Sequence, residues 1–107
     1  MKDVVLMNIY FFLLEAVPSE SNPESKELGG AFVNCWVKAE TMEIAFDEAT
    51  KYLEIQDWEF VRIEDEYVTE RERWLDKFDC LECYDEACEC GVSGIFYIYP
   101  IEDEPEN

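Results

Sequence analysis

Cys80, Cys83, Cys88 and Cys90 stand in a C-x2-C-x4-C-x-C pattern, four potential thiolates in one short segment, and four such donors in a tetrahedron are what a structural zinc ion takes. The same segment carries a second chemistry. Glu72, Asp76, Asp79, Glu82, Glu86 and Glu89 recur every three or four residues between Thr69 and Gly91. On a helix that spacing stacks each carboxylate above the one before, and no Lys or Arg interrupts the row. Glu64, Asp65, Glu66 and Glu70 lead into it.

Little else in the chain is equipped to react. There is no histidine, so His-based triads, proton shuttles and metal sites are excluded. Neither a G-x-S-x-G elbow, a glycine-rich phosphate loop nor an Asp-rich calcium loop is present. Paired carboxylates can do acid–base work, but with 27 Asp and Glu any pair is expected by chance. The chain therefore reads as a non-enzyme. Against those acids stand 8 Lys and Arg, a formal charge of -19. Such a charge repels nucleic acid and anionic membranes as direct partners and attracts a basic protein surface. With 49% hydrophobic and 15% aromatic residues the chain is too apolar for a disordered acidic tail and should fold as one domain.

The elements that would position these residues follow from hydrophobic period. Val4 to Leu14 is apolar on both parities and rich in Val, Ile, Tyr and Phe, which predicts a central strand covered on both faces. Pro18 to Gly30 breaks regular structure. Ala31 to Ala39 alternates, Ala31, Val33, Cys35 and Val37 on one face and Phe32, Asn34, Trp36 and Lys38 on the other, a second strand antiparallel to the first. Thr41 caps an amphipathic helix that runs to about Ile55. Trp58 to Ile63 gives a third strand and Val92 to Tyr99 a fourth, ended by Pro100. Between them Thr69 to Gly91 reads as one long helix, with Thr69 and Glu72 as a capping box and Gly91 as C-cap. Trp74, Phe78, Leu81, Tyr84, Ala87 and Cys88 form its inner side. The order β-β-α-β-α-β predicts an α+β two-layer sandwich, a mixed four-stranded sheet with both helices on one face because right-handed crossovers would place them together. Residues 1–100 make the domain and 101–107 a short acidic tail.

On such a helix the four cysteines do not converge. Cys80 and Cys88 point to the core and Cys83 and Cys90 outward, so binding one zinc would need the helix to break near Cys83. Neighbouring carboxylates would also raise the thiol pKa values and disfavour nucleophilic or redox chemistry. No metal or other cofactor is expected. An odd number of cysteines without a convincing signal peptide points to reduced thiols and a cytoplasmic location. Trp36 and Phe32 have two readings. Covered by the helices they are core; uncovered, they make an aromatic patch with Tyr97 and Tyr99, suited to a partner or a homodimer.

The best-supported expectation is an acidic binding or inhibitor protein that engages a basic protein. Glu64, Asp65, Glu66, Glu72, Asp76, Asp79, Glu82, Glu86 and Glu89 would be the partner-binding residues and Trp36 and Phe32 the aromatic anchor. Carboxylates about 5 Å apart along a helix are comparable to phosphates 3.4 Å apart on a DNA strand. The row could therefore mimic nucleic acid and occupy the groove of a nuclease or another nucleic-acid-binding protein. In character, though not in any motif, the chain resembles small acidic phage inhibitors and bacterial immunity proteins, and no residue role is transferred on that ground. The alternative is a small structural or regulatory zinc module built on Cys80, Cys83, Cys88 and Cys90.

Overall fold

The computed structural model describes residues 6–101. The chain forms β1 (Asn8–Pro18), β2 (Leu28–Ala39), α1 (Met42–Ile55), β3 (Trp58–Thr69), a short 3-10 turn (Arg71–Trp74), α2 (Phe78–Cys90) and β4 (Val92–Pro100). The four strands make one sheet in the order β3-β1-β2-β4. The architecture is α+β, a four-stranded sheet with two helices packed against it, as the pattern of elements predicts. Val4 and Val5 of the expected first strand, and residues 102–107 of the expected acidic tail, lie outside the described residues.

β1 is the central strand, and the reason is its two apolar faces. Tyr10, Phe12, Leu14 and Ala16 point to one side, where they pack with Val33, Cys35 and Val37 of β2, Ala45, Ala49 and Leu53 of α1, and Trp58. Ile9 and Phe11 point to the other, where they meet Trp36, Trp74, and Cys80 and Ala87 of α2. Each face needs its own cover, so α1 lies on one side of the sheet and α2 on the other.

Two details of the expected architecture are thereby corrected. The sheet is not mixed, since β1–β2, β1–β3 and β2–β4 are all antiparallel pairs. The helices are not on one face, and the sandwich has three layers. The handedness rule binds only a crossover between parallel strands. That describes β2–α1–β3, which steps over β1. β3 and β4 run in opposite directions on the two edges, so the chain leaves and re-enters the sheet at the same end and α2 is free to take the other face.

α1 obeys its sequence closely. Thr41 Oγ1 accepts from the Ile44 amide at 3.1 Å, and Ala45, Ala49 and Leu53 form its buried seam. The long helix expected from Thr69 does not form. β3 runs past Ile63 to Thr69, so Glu64, Asp65 and Glu66 are strand residues; Asp65 and Glu66 pair with Leu13 and Phe12, Glu64 is the residue passed over at the register shift between Leu13 and Leu14, and a second shift falls between Glu15 and Ala16. Pairing with β1 outweighs the low strand propensity of acidic residues. Thr69 is not a helix cap: it is buried, and its hydroxyl accepts from Trp74 Nε1 at 2.9 Å. Gly91 is the C-cap, at φ 101 with its amide donating to the Ala87 carbonyl at 2.8 Å, a conformation glycine takes without a Cβ penalty.

The β1–β2 loop is held down as well. Asn22 is buried; its Nδ2 donates to the Asp57 carbonyl at 3.1 Å and its Oδ1 accepts from the Glu24 amide at 2.9 Å, tying the loop to the left-handed turn at Asp57, φ 68.

Because the two helices pack on opposite faces, changes in the two layers should be independent. Leu53→Ala is expected to cost about 2–5 kcal/mol, and Thr69→Val, which orphans the buried Trp74 N–H, about 1–3 kcal/mol. In urea unfolding the double variant should lose the sum within about 0.5 kcal/mol. A larger coupling would place both residues in one core.

Candidate acidic interface on the second helix

α2 is a 13-residue helix whose first residue follows Lys77, which makes no side-chain cap. Cys80 and Ala87 are buried against β1, β2 and the 3-10 turn, and Leu81, Cys83, Tyr84 and Cys88 pack around them. Asp79, Glu82, Glu86 and Glu89 are exposed on the far side. Four carboxylates over ten helical steps cover about 15 Å at 1.5 Å per residue.

These four are the part of the expected row that the structure brings together. Glu72 lies in the 3-10 turn and Asp76 in the link to α2, so neither continues the ridge. Glu64, Asp65 and Glu66 are on β3, at the opposite edge of the sheet from β4, three strand spacings of about 4.8 Å away. The expected continuous track of nine acids is therefore three separate groups.

Cations are placed elsewhere. Among the described residues Lys51 pairs with Asp47 at 3.2 Å, Arg62 with Glu15 and Glu64, and Arg71 with Asp85 at 2.9 Å. Arg73 lies over the Tyr67 ring at 4.4 Å. Among the described residues no ion pair reaches Asp79, Glu82, Glu86 or Glu89. The Arg71–Asp85 contact is a two-point one, Nε and Nη2 on the two carboxylate oxygens, and hydrogen bonding to Arg71 holds the Asp85 carboxyl below its ordinary pKa. Asp85 thus belongs to the clasp between α2 and the 3-10 turn. Glu86 is fixed from below, since Ser93 Oγ of β4 donates to its Oε1.

Within the helix itself the row is unfavourable. Like charges three or four apart oppose it by about 0.2–0.5 kcal/mol a pair. Its last turn holds no basic residue of its own, so Glu86 and Glu89 face the negative end of the helix dipole, which is met instead from β2, where Lys38 Nζ donates to the Cys88 carbonyl at 3.2 Å.

Trp36 and Phe32 separate. Trp36 is 0% exposed, edge-on to Phe11 and Trp74 at 5.2 Å from each, and is core; it cannot anchor a partner. Phe32 is 40% exposed and lies 5.7 Å from the Tyr99 ring, in an open apolar hollow with Leu28, Tyr97, Ile98, Pro100 and Ile101. α2 is too short to cover this end of the sheet. Tyr99 leans across Gly30, where any Cβ would collide with its ring, and its hydroxyl donates to Glu15 Oε2 at 3.1 Å.

Phe78, expected inside, is 72% exposed. With Lys77 as cap it is the first residue of α2 and is turned to solvent, as is Leu75 three residues before it. Sequence reading missed this apolar pair, the Ser93 tether and the Arg71–Asp85 clasp. Arg71 carried a visible signal, as one of three cations, with Arg73 and Lys77, in an otherwise acidic stretch.

All five cysteines are free thiols. Cys80 is buried, Cys83 and Cys88 are half-buried against the sheet and Cys90 is exposed; Cys83 is therefore not on the outer side, as expected. On one unbroken helix they do not converge, and among the described residues no group of three or more Cys, Asp or Glu is arranged to hold a metal ion. Also among the described residues, no helix is long and apolar enough to cross a membrane. Comparison of the chain with protein-family models, curated proteins and solved structures found no match.

Burial pushes the Cys35 thiol from 9.0 up to about 12, with Cys83 adding to the rise, and burial also raises Cys80 and Cys83. Iodoacetamide at pH 8 should label Cys90 first and leave Cys35 untouched in the native protein, read by peptide mass spectrometry. The sign of the linkage is set by the raised value: the stabilisation is whole below pH 9 and is lost as pH rises towards about 12. Cys35→Ala should make that alkaline loss of stability shallower.

Proposed function

We propose that the chain is a non-enzymatic binding protein that neutralises a basic surface on another protein. The observation that carries this reading is the row Asp79, Glu82, Glu86 and Glu89, exposed on the outer side of a helix fixed to the sheet and free of ion pairs among the described residues. A solvated surface that merely keeps a protein in solution mixes both signs and gains from pairing. This one concentrates a single sign where the helix is penalised for it, and binding to cations elsewhere would offset that cost.

Rigidity supports the same reading. α2 is buried along its inner side, clasped by Arg71–Asp85 and tethered by Ser93–Glu86, so the carboxylates are positioned before a partner arrives. Exposed Leu75 and Phe78 at the start of α2 are better placed than Trp36 to supply an apolar anchor. The finer proposal, nucleic-acid mimicry directed at a nuclease or another nucleic-acid-binding protein, rests on the α2 row alone. Its 15 Å or so is the length of about four or five phosphates of one strand at 3.4 Å each.

The test begins with capture of partners from source extract at low and at high salt, followed by association kinetics on the captured protein. Replacing Asp79, Glu82 and Glu89 by Lys, which leaves the Ser93 tether intact, is expected to slow association by about tenfold or more at low salt and to flatten its salt dependence. Kinetics indistinguishable from the unmodified chain would end the proposal. If the partner binds nucleic acid, short duplex DNA should compete with the acidic protein for it; simultaneous binding of both would remove the mimicry while leaving the basic partner.

A further inference from the structure

β3 and β4 are the two edges of the sheet, and they are built in opposite ways. β3 is lined with Glu59, Arg62, Glu64, Asp65 and Glu66 and is interrupted by two register shifts against β1, features that keep another strand from pairing with an edge. β4, Val-Ser-Gly-Ile-Phe-Tyr-Ile-Tyr-Pro, has no charged residue, in a chain where charged residues are 33%. It pairs with β2 without a shift from Val92 to Ile98. The Lys38 amide donates to the Gly91 carbonyl at 2.8 Å. Counting along the antiparallel ladder from that bond, Ser93, Ile95 and Tyr97 bond to β2, and Val92, Gly94, Phe96 and Ile98 turn their N–H and C=O groups away from it, Val92, Phe96 and Ile98 to the open edge and the Gly94 amide towards the hydroxyl of Tyr52, whose ring lies against Gly94. Tyr97 and Ile98 are each 51% exposed there, on opposite faces.

The charge around this edge selects its occupant. α2 packs on β4, and the flank of α2 that overlooks the edge carries Asp79 and Glu86: Ser93 donates to Glu86, and Asp79 is close enough to Tyr97 to help raise its hydroxyl pKa, behind burial and Cys80. A second copy of this chain paired antiparallel through β4 would bring its own α2 to the same face, with Asp79 and Glu86 of each copy opposite those of the other. Two chains of formal charge -19 oppose that approach. A strand that carries Lys or Arg at every second residue is favoured by the same groups.

We propose that the open edge of β4 takes an extended segment of the basic partner as a fifth strand. Its backbone pairs with Val92, Phe96 and Ile98 and replaces the Tyr52 hydroxyl at Gly94, its cationic side chains meet Asp79 and Glu86 of α2, and its alternate apolar side chains pack beside Phe96 and Ile98 on the face of α1. Main-chain bonds supply affinity and the alternation supplies specificity, as in other strand additions to a sheet edge. This inference rests on the basic-partner reading and specifies how such a partner is held.

The experiment uses the full chain, assigned by NMR, and two synthetic peptides of equal charge. One alternates Lys and Val; the other has the same sequence N-methylated at every residue, so that neither of its edges has an N–H to donate and it cannot extend a sheet. The first peptide should slow amide exchange at Val92, Gly94, Phe96 and Ile98 by about tenfold or more, and the second should not. Ile98→Pro removes an outward N–H without touching the β2 ladder and should abolish the slowing; if that variant does not fold, Ile98→Lys, which places a charge on the edge, should weaken it instead. Equal binding of both peptides with no protection along β4 overturns the strand inference and leaves the basic-partner reading standing. Binding of neither peptide at low salt overturns both. A chain that is already dimeric by sedimentation, with its β4 amides protected before peptide is added, overturns the inference in favour of a second copy.

Discussion

The structure depends on a single strand that cannot be left uncovered on either side. β1 places Tyr10, Phe12, Leu14 and Ala16 on one face and Ile9 and Phe11 on the other, all buried. Hydrophobic burial at about 25 cal/mol per Å² makes an exposed face of such a strand untenable, so two strands must flank it and two helical layers must close it. The order β3-β1-β2-β4, with β1 inside, satisfies the first requirement. α1 and the unit formed by the 3-10 turn and α2 satisfy the second. The α2 side is the more aromatic at its centre, where Phe11, Trp36 and Trp74 lie 5.1 to 5.2 Å apart. Trp36 Nε1 is buried there without a protein acceptor, while the neighbouring Trp74 N–H is satisfied by Thr69.

Charge is then confined to what the core leaves over, and it is not spread evenly. Arg62 joins β1 and β3 through Glu15 and Glu64, Arg71 joins the 3-10 turn to α2 through Asp85, and Lys51 lies along α1 with Asp47 and Glu48. Apart from Arg62–Glu15, whose carboxylate is largely buried, these contacts are exposed and worth little to stability alone. Their consequence is positional. With few cations available and several of them engaged on β3, the 3-10 turn and α1, the outer side of α2 is left with a single sign. The site is in that sense the remainder of a fold that places its scarce positive charges where elements meet.

Much of this was legible in the sequence. The double apolar parity of β1 marks a central strand, the alternation of Ala31 to Ala39 marks the two faces of β2, and Thr41 marks the start of α1. The break in the second helix was not legible, because Thr69 with Glu72 imitates a capping box and the period of Trp74 and Phe78 is compatible with a helix. What decides the matter is long range: β1 pairs with β3 as far as Ile9–Thr69, and Trp74 must reach the Phe11 and Trp36 cluster. Propensity yields to such contacts. The candidate site changed accordingly, from nine acids in one line to four on α2, with Trp36 withdrawn into the core and Phe78 turned out. The distribution of the helices was lost for another reason: strand direction is not written in hydrophobic period, and only direction determines whether a crossover rule applies.

The acidity and the bare edge of β4 explain each other. An uncharged edge strand ordinarily invites pairing between copies, and proteins guard against this with charges on the strand itself or with bulges. β3 is guarded in that way and β4 is not. In the proposed mode of binding, the guard for β4 stands one layer above it, on α2, where Asp79 and Glu86 would repel a strand belonging to another copy of the same acidic chain. Charges on β4 itself would turn away every strand alike. Charges held above the edge by a helix discriminate by sign, so under the proposal the groups that would keep two copies apart are the ones that would admit a basic segment, and a single arrangement of α2 on the sheet would serve both ends.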